Sequence, residues 1–509
     1  MLPSRVIDIP RQHLTPLELA ITESSPEALV VSLAAGKWTA TSVTKAFLRR
    51  AAMAQRLTNC IYELLPDQAI SQARNLDDYF AEHGKPSGPL HGLPISVEAH
   101  TGLKGRDKAA GFVGWLGRKS TEDASVVKIP LEAGAVIYAR TTEPQGLMAL
   151  ESRSNITGTT TNPHNTATSA GGPSGGESAL IALRGSPLGI GSDIGGSIRS
   201  PAANCGLYGL KPSTGRLPFI GISAYAIGCE TILGAIGPMS STLGGIDLFT
   251  KTVLGSKPWL SDPLLHPIPW RDHESHIHQD GRNLVVGVMW SDGTVTPAPA
   301  VTRGLTEVVE RLKLVPGIGV IEWKPFQQKA ALEILLYTPD GGEAFRRHLE
   351  LSGEPYAPLT AWTMRDAPGI EKLSFQGVWD WTFKREVFRY TYLQAPEMDV
   401  ILCPAYPIPA PLHDTSRYWG YTSIWNLLDY PGVVFPVTKL DPERDDKDIT
   451  YIPRNEFDSW CYENYNPQRQ RDVPVSLQLV AKRLEEEKLL QALKEIKHKI
   501  GLPFVDCLA

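Results

Sequence analysis

Residues 171–216 read GGPSGGESALIALRGSPLGIGSDIGGSIRSPAANCGLYGLKPSTGR, and this stretch restricts the possible folds more than any other. Glycine is dense at both ends of it, and the apolar segment SALIAL lies between. Because glycine permits conformations and close approaches that a Cβ forbids, the pattern requires two tight loops around a helical segment. Gly195 and Gly196 lead directly into Ser197. Consecutive residues without Cβ let several N–H groups turn towards one point, which makes an anion-binding nest beside a hydroxyl. The reading is a serine nucleophile whose own loop supplies an oxyanion hole, formed by the backbone of Ile194, Gly195, Gly196 and Ser197.

The rest of the chain alternates helix and strand signals. Ser25 before Pro26 reads as a helix cap, the run VTKAFLRRAAMAQRL carries apolar residues at helical spacing, and a further helix is expected from about Asp67 to His83. ISVEAH is a short β-branched run that suits a buried strand carrying Glu98 towards a site. VVKIPLEAGAVIYARTTEPQ then reads as helix, glycine stop and strand. This alternation predicts an α/β fold with a mixed or mainly parallel sheet covered by helices. Residues 237–255 read as a loop and an amphipathic helix, 283–290 as a strand, and 398–411 as a strand running into a proline loop. VPVSLQLV and the residues after it give a last strand and helix, with Lys482 to Lys488 read as a solvated helix face. Between about 325 and 395 aromatics are frequent (Tyr337, Phe345, Tyr356, Trp362, Phe375, Trp379, Trp381, Phe383), and most of them are expected in the core, with one or two shaping a pocket.

A chain of 509 residues with 42% hydrophobic and 21% charged residues can bury a large core. Its formal net charge of −5 gives no electrostatic footprint for nucleic acid or for an anionic membrane, which leaves small molecules as the expected partners. The six cysteines (Cys60, Cys205, Cys229, Cys403, Cys461, Cys507) have neither metal-type spacing nor the density of a disulfide scaffold. No metal or cofactor is expected. No signal-peptide core and no run of eighteen apolar residues occurs, so the expected location is the cytoplasm.

On the motifs GLPISVE (92–98), GGPSGGE (171–177) and GGSIR (195–199), the chain resembles the amidase signature family, and its fungal acetamidase-like branch over most of the remaining length. The resemblance implies one large domain over residues 1–509. Within it lie N-terminal helices (1–85), a signature core (86–260), a variable substrate-side region (261–395) and a C-terminal part of the core (396–509). It also implies a central mixed, mostly parallel sheet with helices on both faces. In this family a Lys, a Ser in a cis peptide bond and a nucleophilic Ser relay a proton, and the last Ser attacks an amide carbonyl. Ser197 matches the nucleophile and Ser174 the second Ser of the usual pair, while Asp193 and Arg199 flank the nucleophile loop as bracing residues. Leu147, Met148 and Ala149 match a loop near the acyl group, where apolar packing is the simpler reading.

Two positions depart from the pattern. Glu98 stands at the Lys position and Pro173 at the cis-Ser position. Proline has no hydroxyl to relay a proton, but it keeps a cis bond at about 0.5–1 kcal/mol, against about 2.5–4 kcal/mol for other residues, so a cis Gly172–Pro173 is expected. A carboxyl on the floor of a pocket has its pKa raised by desolvation, which suits proton transfer near neutral pH. The alternative for Glu98 is a structural ion pair with Lys104, Arg106 or Lys108. His100, two residues on, shares its side of the strand.

Three functions follow. The first is a repurposed enzyme that uses Glu98 and the Ser197 loop for cyclisation, isomerisation, elimination or condensation at a carbonyl, in fungal secondary metabolism. The second is a residual amide or ester hydrolase acting through Ser197. The third is a non-catalytic binding protein, and a homodimer is compatible with each.

Overall fold

The computed structural model describes residues 3–226, 228–271, 283–325, 328–329, 331, 337–394 and 398–508. Part of the variable region read from the sequence (272–282, 326–327, 330, 332–336 and 395) therefore lies outside the described residues. The strands in chain order are β1 (Ile61–Leu64), β2 (Pro94–Glu98), β3 (Val136–Thr141), β4 (Arg153–Ser154), β5 (Gly158–Thr159), β6 (Leu188–Asp193), β7 (Tyr208–Lys211), β8 (Ala235–Ser240), β9 (Leu284–Val288), β10 (Ile318–Glu322), β11 (Val400–Pro404), β12 (Gly432–Lys439) and β13 (Pro474–Val480). All but β4 and β5 join one sheet in the order β1-β3-β2-β6-β8-β7-β12-β13-β11-β9-β10.

The sheet is mixed. Parallel pairings join β3, β2 and β6 on one flank and β11, β9 and β10 on the other. Antiparallel ladders fill the middle, from β6 through β8, β7, β12 and β13 to β11. The parallel character expected from the helix–strand alternation thus belongs to the two flanks.

Successive residues of a strand face opposite sides of a sheet, and β12 shows both sides covered. Val434 packs with Ala202, Phe47 and Leu180, whereas Val433 and Phe435 pack with Leu305, Val308 and Leu493. The first group brings in the helices Ala40–Thr58, Gly175–Ala182 and Arg199–Cys205, and the second the helices Pro299–Leu312 and Glu486–Ile500. Local signals fix the helix ends. The Ser25 hydroxyl accepts from Ala28 N ahead of a Pro26 first turn, and the helix Pro66–His83 stops at Gly84 with φ 64°.

Three readings of the sequence are corrected. Residues 237–240, read as the start of a loop, belong to the central strand β8 (Ala235–Ser240). Pro238 argues against a strand because it donates nothing to a ladder, but β7 pairs with β8 only at Met239 and Ser240, beyond that position. Gly237 allows the crossing, since a Cβ there would lie 2.0 Å from the Leu210 carbonyl oxygen. Phe375, Trp379 and Phe383, expected in the core, are 75%, 59% and 70% exposed, whereas Phe345 is fully buried.

The third correction concerns the charge run 482–488, which is not a solvated face. The helix begins at Glu486, whose buried carboxylate accepts from Arg216 Nε at 3.3 Å and Ser213 N at 2.8 Å. Glu487 pairs with Arg216 and, at 2.7 Å, with Arg271, and Arg483 pairs with Asp429 at 2.5 Å. Opposite charges from distant segments meet there, which a one-dimensional charge pattern does not show. Removing one partner of a buried pair strands the other charge, so Glu486→Ala is expected to lower unfolding stability by about 3–5 kcal/mol. Lys128→Ala, at an exposed pair with Glu132, should stay within about 0.5 kcal/mol, with thermal unfolding as the measurement for both.

Candidate active site

β3, β2 and β6 run parallel as neighbours, so their carboxyl ends open on one edge of the sheet, where open α/β sheets place their ligands. Glu98 ends β2, Thr141 ends β3 just before Glu143, and Asp193 ends β6 just before Ser197. Adjacent strand ends therefore bring together residues 43 to 99 positions apart along the chain.

The loop 193–199 is wound around the Asp193 carboxylate. Its Oδ1 accepts from Gly196 N at 2.9 Å, and its Oδ2 accepts from Ile198 N at 3.2 Å. Arg199 donates to both oxygens, Nη2 to Oδ1 and Nε to Oδ2, each at 3.0 Å. Asn426, from the helix Gly420–Leu427, donates to Oδ1 at 3.0 Å. Burial alone would raise this carboxyl, but the Arg199 guanidinium, Lys211 and Asn426 hold it down to about 2. Gly196 has φ +131°, and a Cβ on it would lie 2.3 Å from Thr422 Oγ1, so no other residue fits.

Two more bonds aim the loop. Tyr337 Oη donates to the Ile194 carbonyl at 2.9 Å and Thr422 Oγ1 to the Gly195 carbonyl at 2.7 Å. In a trans peptide the N–H points away from its carbonyl, so the first of these bonds turns Gly195 N–H away from Tyr337. The Gly196 N–H, counted from sequence in the anion hole, already donates to Asp193. Ile194, Gly195 and Ser197 are the remaining backbone donors of that set.

The second glycine loop meets the first. Gly172–Pro173 is cis. The Ser152 hydroxyl donates to the Pro173 carbonyl at 2.8 Å, and Ser174 N donates to the Ser197 carbonyl at 3.3 Å. Ser174 also begins the helix Gly175–Ala182, with a fully buried side chain.

Glu98 and His100 are both fully buried. His100 is clamped by Glu143, whose Oε2 accepts from the backbone N at 2.9 Å and lies 2.8 Å from Nδ1. The other ring nitrogen, Nε2, faces Glu98 Oε2 at 4.0 Å. Among the described residues, neither Glu98 oxygen makes a well-aligned hydrogen bond, and neither does His100 Nε2 or Ser174 Oγ. Burial pushes the Glu98 carboxyl up to about 7. His100 and the nearby Ser174 and Ser192 hydroxyls pull against that rise, and Glu143 adds to it. Burial opposes a charged His100, but Glu98 and Glu143 outweigh it and raise the imidazole above its ordinary value.

The cations that offered Glu98 a structural pairing lie elsewhere. Arg106 pairs with Glu63 at 2.6 Å, Lys104 is exposed, and none of the described ion pairs joins Lys108 to Glu98. Asp193 and Arg199 brace the loop, as the sequence suggested. Met148 and Ala149 are buried, and Leu147, at φ 63°, packs with Ile194, Tyr337 and Trp419 around the cluster of Phe112, Phe345 and Met148. The sequence reading missed Glu143, Thr422 and Asn426, and it gave Tyr337 only as one aromatic of the 325–395 region. Glu143 had a usable signal, an acid two residues beyond the end of a predicted strand. The others come from segments more than a hundred residues away in sequence.

The amidase family model matches residues 42–490. The chain is 39% identical to an acetamidase of Emericella nidulans, covering 97% of this chain and 93% of that protein. It is 44% identical to a Schizosaccharomyces pombe protein that carries a provisional amidase name, with coverage of 95% and 91%. Among solved structures, a fatty acid amide hydrolase superimposes with a TM-score of 0.93 at 36% identity, over 99% of this chain and 92% of that one. The fold is that of an α/β amidase-family enzyme. The chain belongs to the amidase family.

An acid whose folded pKa lies above its unfolded value of about 4.3 favours the folded state most at low pH, and that contribution is lost as pH rises through about 7. Glu98→Gln removes the ionisation. Its melting temperature relative to the unmodified protein is therefore expected to climb between about pH 5 and pH 7 and level off above. A difference independent of pH would contradict the buried-acid assignment.

Proposed function

We propose that the protein is an amidase-family enzyme that acts on a small carbonyl compound by proton transfer at Glu98, with negative charge received at the Ser197 loop. The observation that carries this reading is the Glu98 carboxyl itself: sealed from solvent, pushed up to about 7, and facing an imidazole that Glu143 holds in place. A carboxyl poised near neutral pH both accepts and returns a proton. Glu98 would take a proton from the substrate while the N–H groups of Ile194, Gly195 and Ser197 take up charge at the carbonyl oxygen. His100 Nε2 lies 4.0 Å from Glu98 Oε2, near enough for the charge of either group to shift the proton affinity of the other. Cyclisation, isomerisation, elimination and condensation at a carbonyl all fit this arrangement, and a biosynthetic setting suits them.

A second reading has its own support. The Ser197 loop is braced in full by Asp193, Arg199, Tyr337 and Thr422, and relatives of this chain are named acetamidases. On that reading Glu98 activates Ser197 for slow amide or ester hydrolysis. The absence of a hydroxyl at position 173 argues against family-like rates, since loss of one member of a catalytic constellation commonly costs about 10⁴-fold.

The discriminating experiment exposes the purified protein to a fluorophosphonate and to a panel of small carboxamides, esters and β-dicarbonyl compounds. Proton transfer at Glu98 predicts turnover that rises with an apparent pKa near 7 and falls about 10²–10⁴-fold in Glu98→Gln. It also predicts acetamide hydrolysis only after the paired change Glu98→Lys and Pro173→Ser. Stoichiometric labelling of Ser197 together with slow amide or ester hydrolysis by the unmodified protein would support the second reading instead. Full activity in Glu98→Gln would remove Glu98 from both.

A further inference from the structure

Five buried polar atoms gather where β2 and β3 end, and among the described residues none of them makes a well-aligned hydrogen bond: Glu98 Oε1 and Oε2, Glu143 Oε1, His100 Nε2 and Ser174 Oγ. Glu98, His100 and Ser174 are fully buried and Glu143 is nearly so. Polar atoms at such depth are as a rule hydrogen-bonded, so a group of exceptions beside an anion-binding loop calls for a ligand that donates to it. Three of the five are carboxyl oxygens, which once ionised only accept. No lysine or arginine answers them, since the one described ion pair at Glu98 and the one at Glu143 are both with His100. Arg140, whose field reaches His100, is turned to Glu63 at 2.9 Å and to Asp107 at 3.3 Å. Arg199 is engaged by Asp193. Glu177, on the helix behind, is pushed up to about 8 by burial and brings no positive charge.

We propose that the site takes a carbonyl compound bearing a planar cationic N–H group, an amidinium or a guanidinium, which forks onto the two oxygens of Glu98. The inference deepens the reading of Glu98 as the group that handles the substrate's proton, and it rests on that reading, which puts the substrate carbonyl at the Ser197 loop. A carboxylate with both oxygens open matches two parallel N–H donors, and the match is strongest when the donor is charged. A neutral carboxamide of the same size brings an oxygen in place of one nitrogen, and that oxygen would face carboxyl oxygens that repel it. Tyr337 and Trp419 add two aromatic faces at the same place. Their rings are 5.7 Å apart and partly exposed, and they lie against the loop, where a Cβ on Gly195 would meet Trp419 Cε3 and Tyr337 Oη, each at 2.8 Å. Such faces attract flat, weakly hydrated cations. Burial keeps a proton on Glu98 up to about pH 7. The ligand's charge replaces that proton as the counter-ion, so binding below pH 7 releases the Glu98 proton to solvent.

Titration calorimetry on the full chain with acetamidinium and with acetamide tests the proposal, because the two probes share size and planar shape and differ in charge. At pH 8 acetamidinium is expected to bind at least about tenfold more tightly than acetamide. At pH 6 its affinity should fall about tenfold, as Glu98 regains its proton. Runs in buffers of different ionisation heat should then show about one proton released per acetamidinium bound at pH 6 and almost none at pH 8. Glu98→Gln should abolish both the preference and the proton release. No binding of acetamidinium, equal or tighter binding of acetamide, or a preference that survives in Glu98→Gln would each overturn the proposal. The readout needs no turnover: a protein that binds acetamidinium as expected but catalyses nothing at Glu98 would refute the proton-transfer reading and leave the ligand class standing.

Discussion

The ion pair between Asp193 and Arg199 is the constraint on which the site depends. Both side chains are fully buried, and neither charge would be tolerated alone in such surroundings. Together they offer a core of donors and acceptors around which a loop with little side-chain bulk can wind. Three loop N–H groups close on Asp193 at 2.9, 3.2 and 3.4 Å, and Arg199 reaches outward to the Thr422 carbonyl at 3.0 Å and to Asn426. The glycines that make the loop possible would make it floppy by themselves, because residues without Cβ lose the most conformational freedom on folding. The buried pair supplies the rigidity that they lack.

Much of this was legible in the chain before any coordinates. The glycine pattern around Ser197 required a tight loop, the β-branched run ending at Glu98 required a strand, and the two meet at adjacent strand ends. What the sequence hid falls into two kinds. β8 was hidden because its proline speaks against a strand, and only the short β7 ladder shows why the proline is harmless. Thr422 and Asn426 were hidden because their significance lies in a partner far along the chain, and for the same reason Tyr337 could be read only as an aromatic. Glu486 belongs with them, since a row of acids and bases looks solvated until a buried Arg216 is found opposite it. Local chemistry can be read from neighbouring residues, but long-range pairing cannot.

The glycine loop around Pro173 is docked on the Ser197 loop by Ser174 N, which donates to the Ser197 carbonyl at 3.3 Å. The carboxyl at 98 then sits among groups that share its need for protons, His100 on one side and Ser174 and Ser192 on the other. Glu177 lies close behind, its own carboxyl pushed up to about 8 by burial and held by Ser96 and Thr141. Where charge is so expensive to bury, a proton is the cheapest counter-ion, and the cluster is built to keep one.

The hydrogen bond from Tyr337 to the Ile194 carbonyl ties the outer part of the chain to the loop that bears Ser197. Tyr337 is itself held through its own carbonyl, which accepts from the Tyr225 hydroxyl at 2.8 Å. The outer segment is consequently no interchangeable cassette. A grafted replacement without a hydroxyl at this spot would leave a carbonyl beside the anion site with nothing to anchor it, so outer shape and inner aim have to evolve in step.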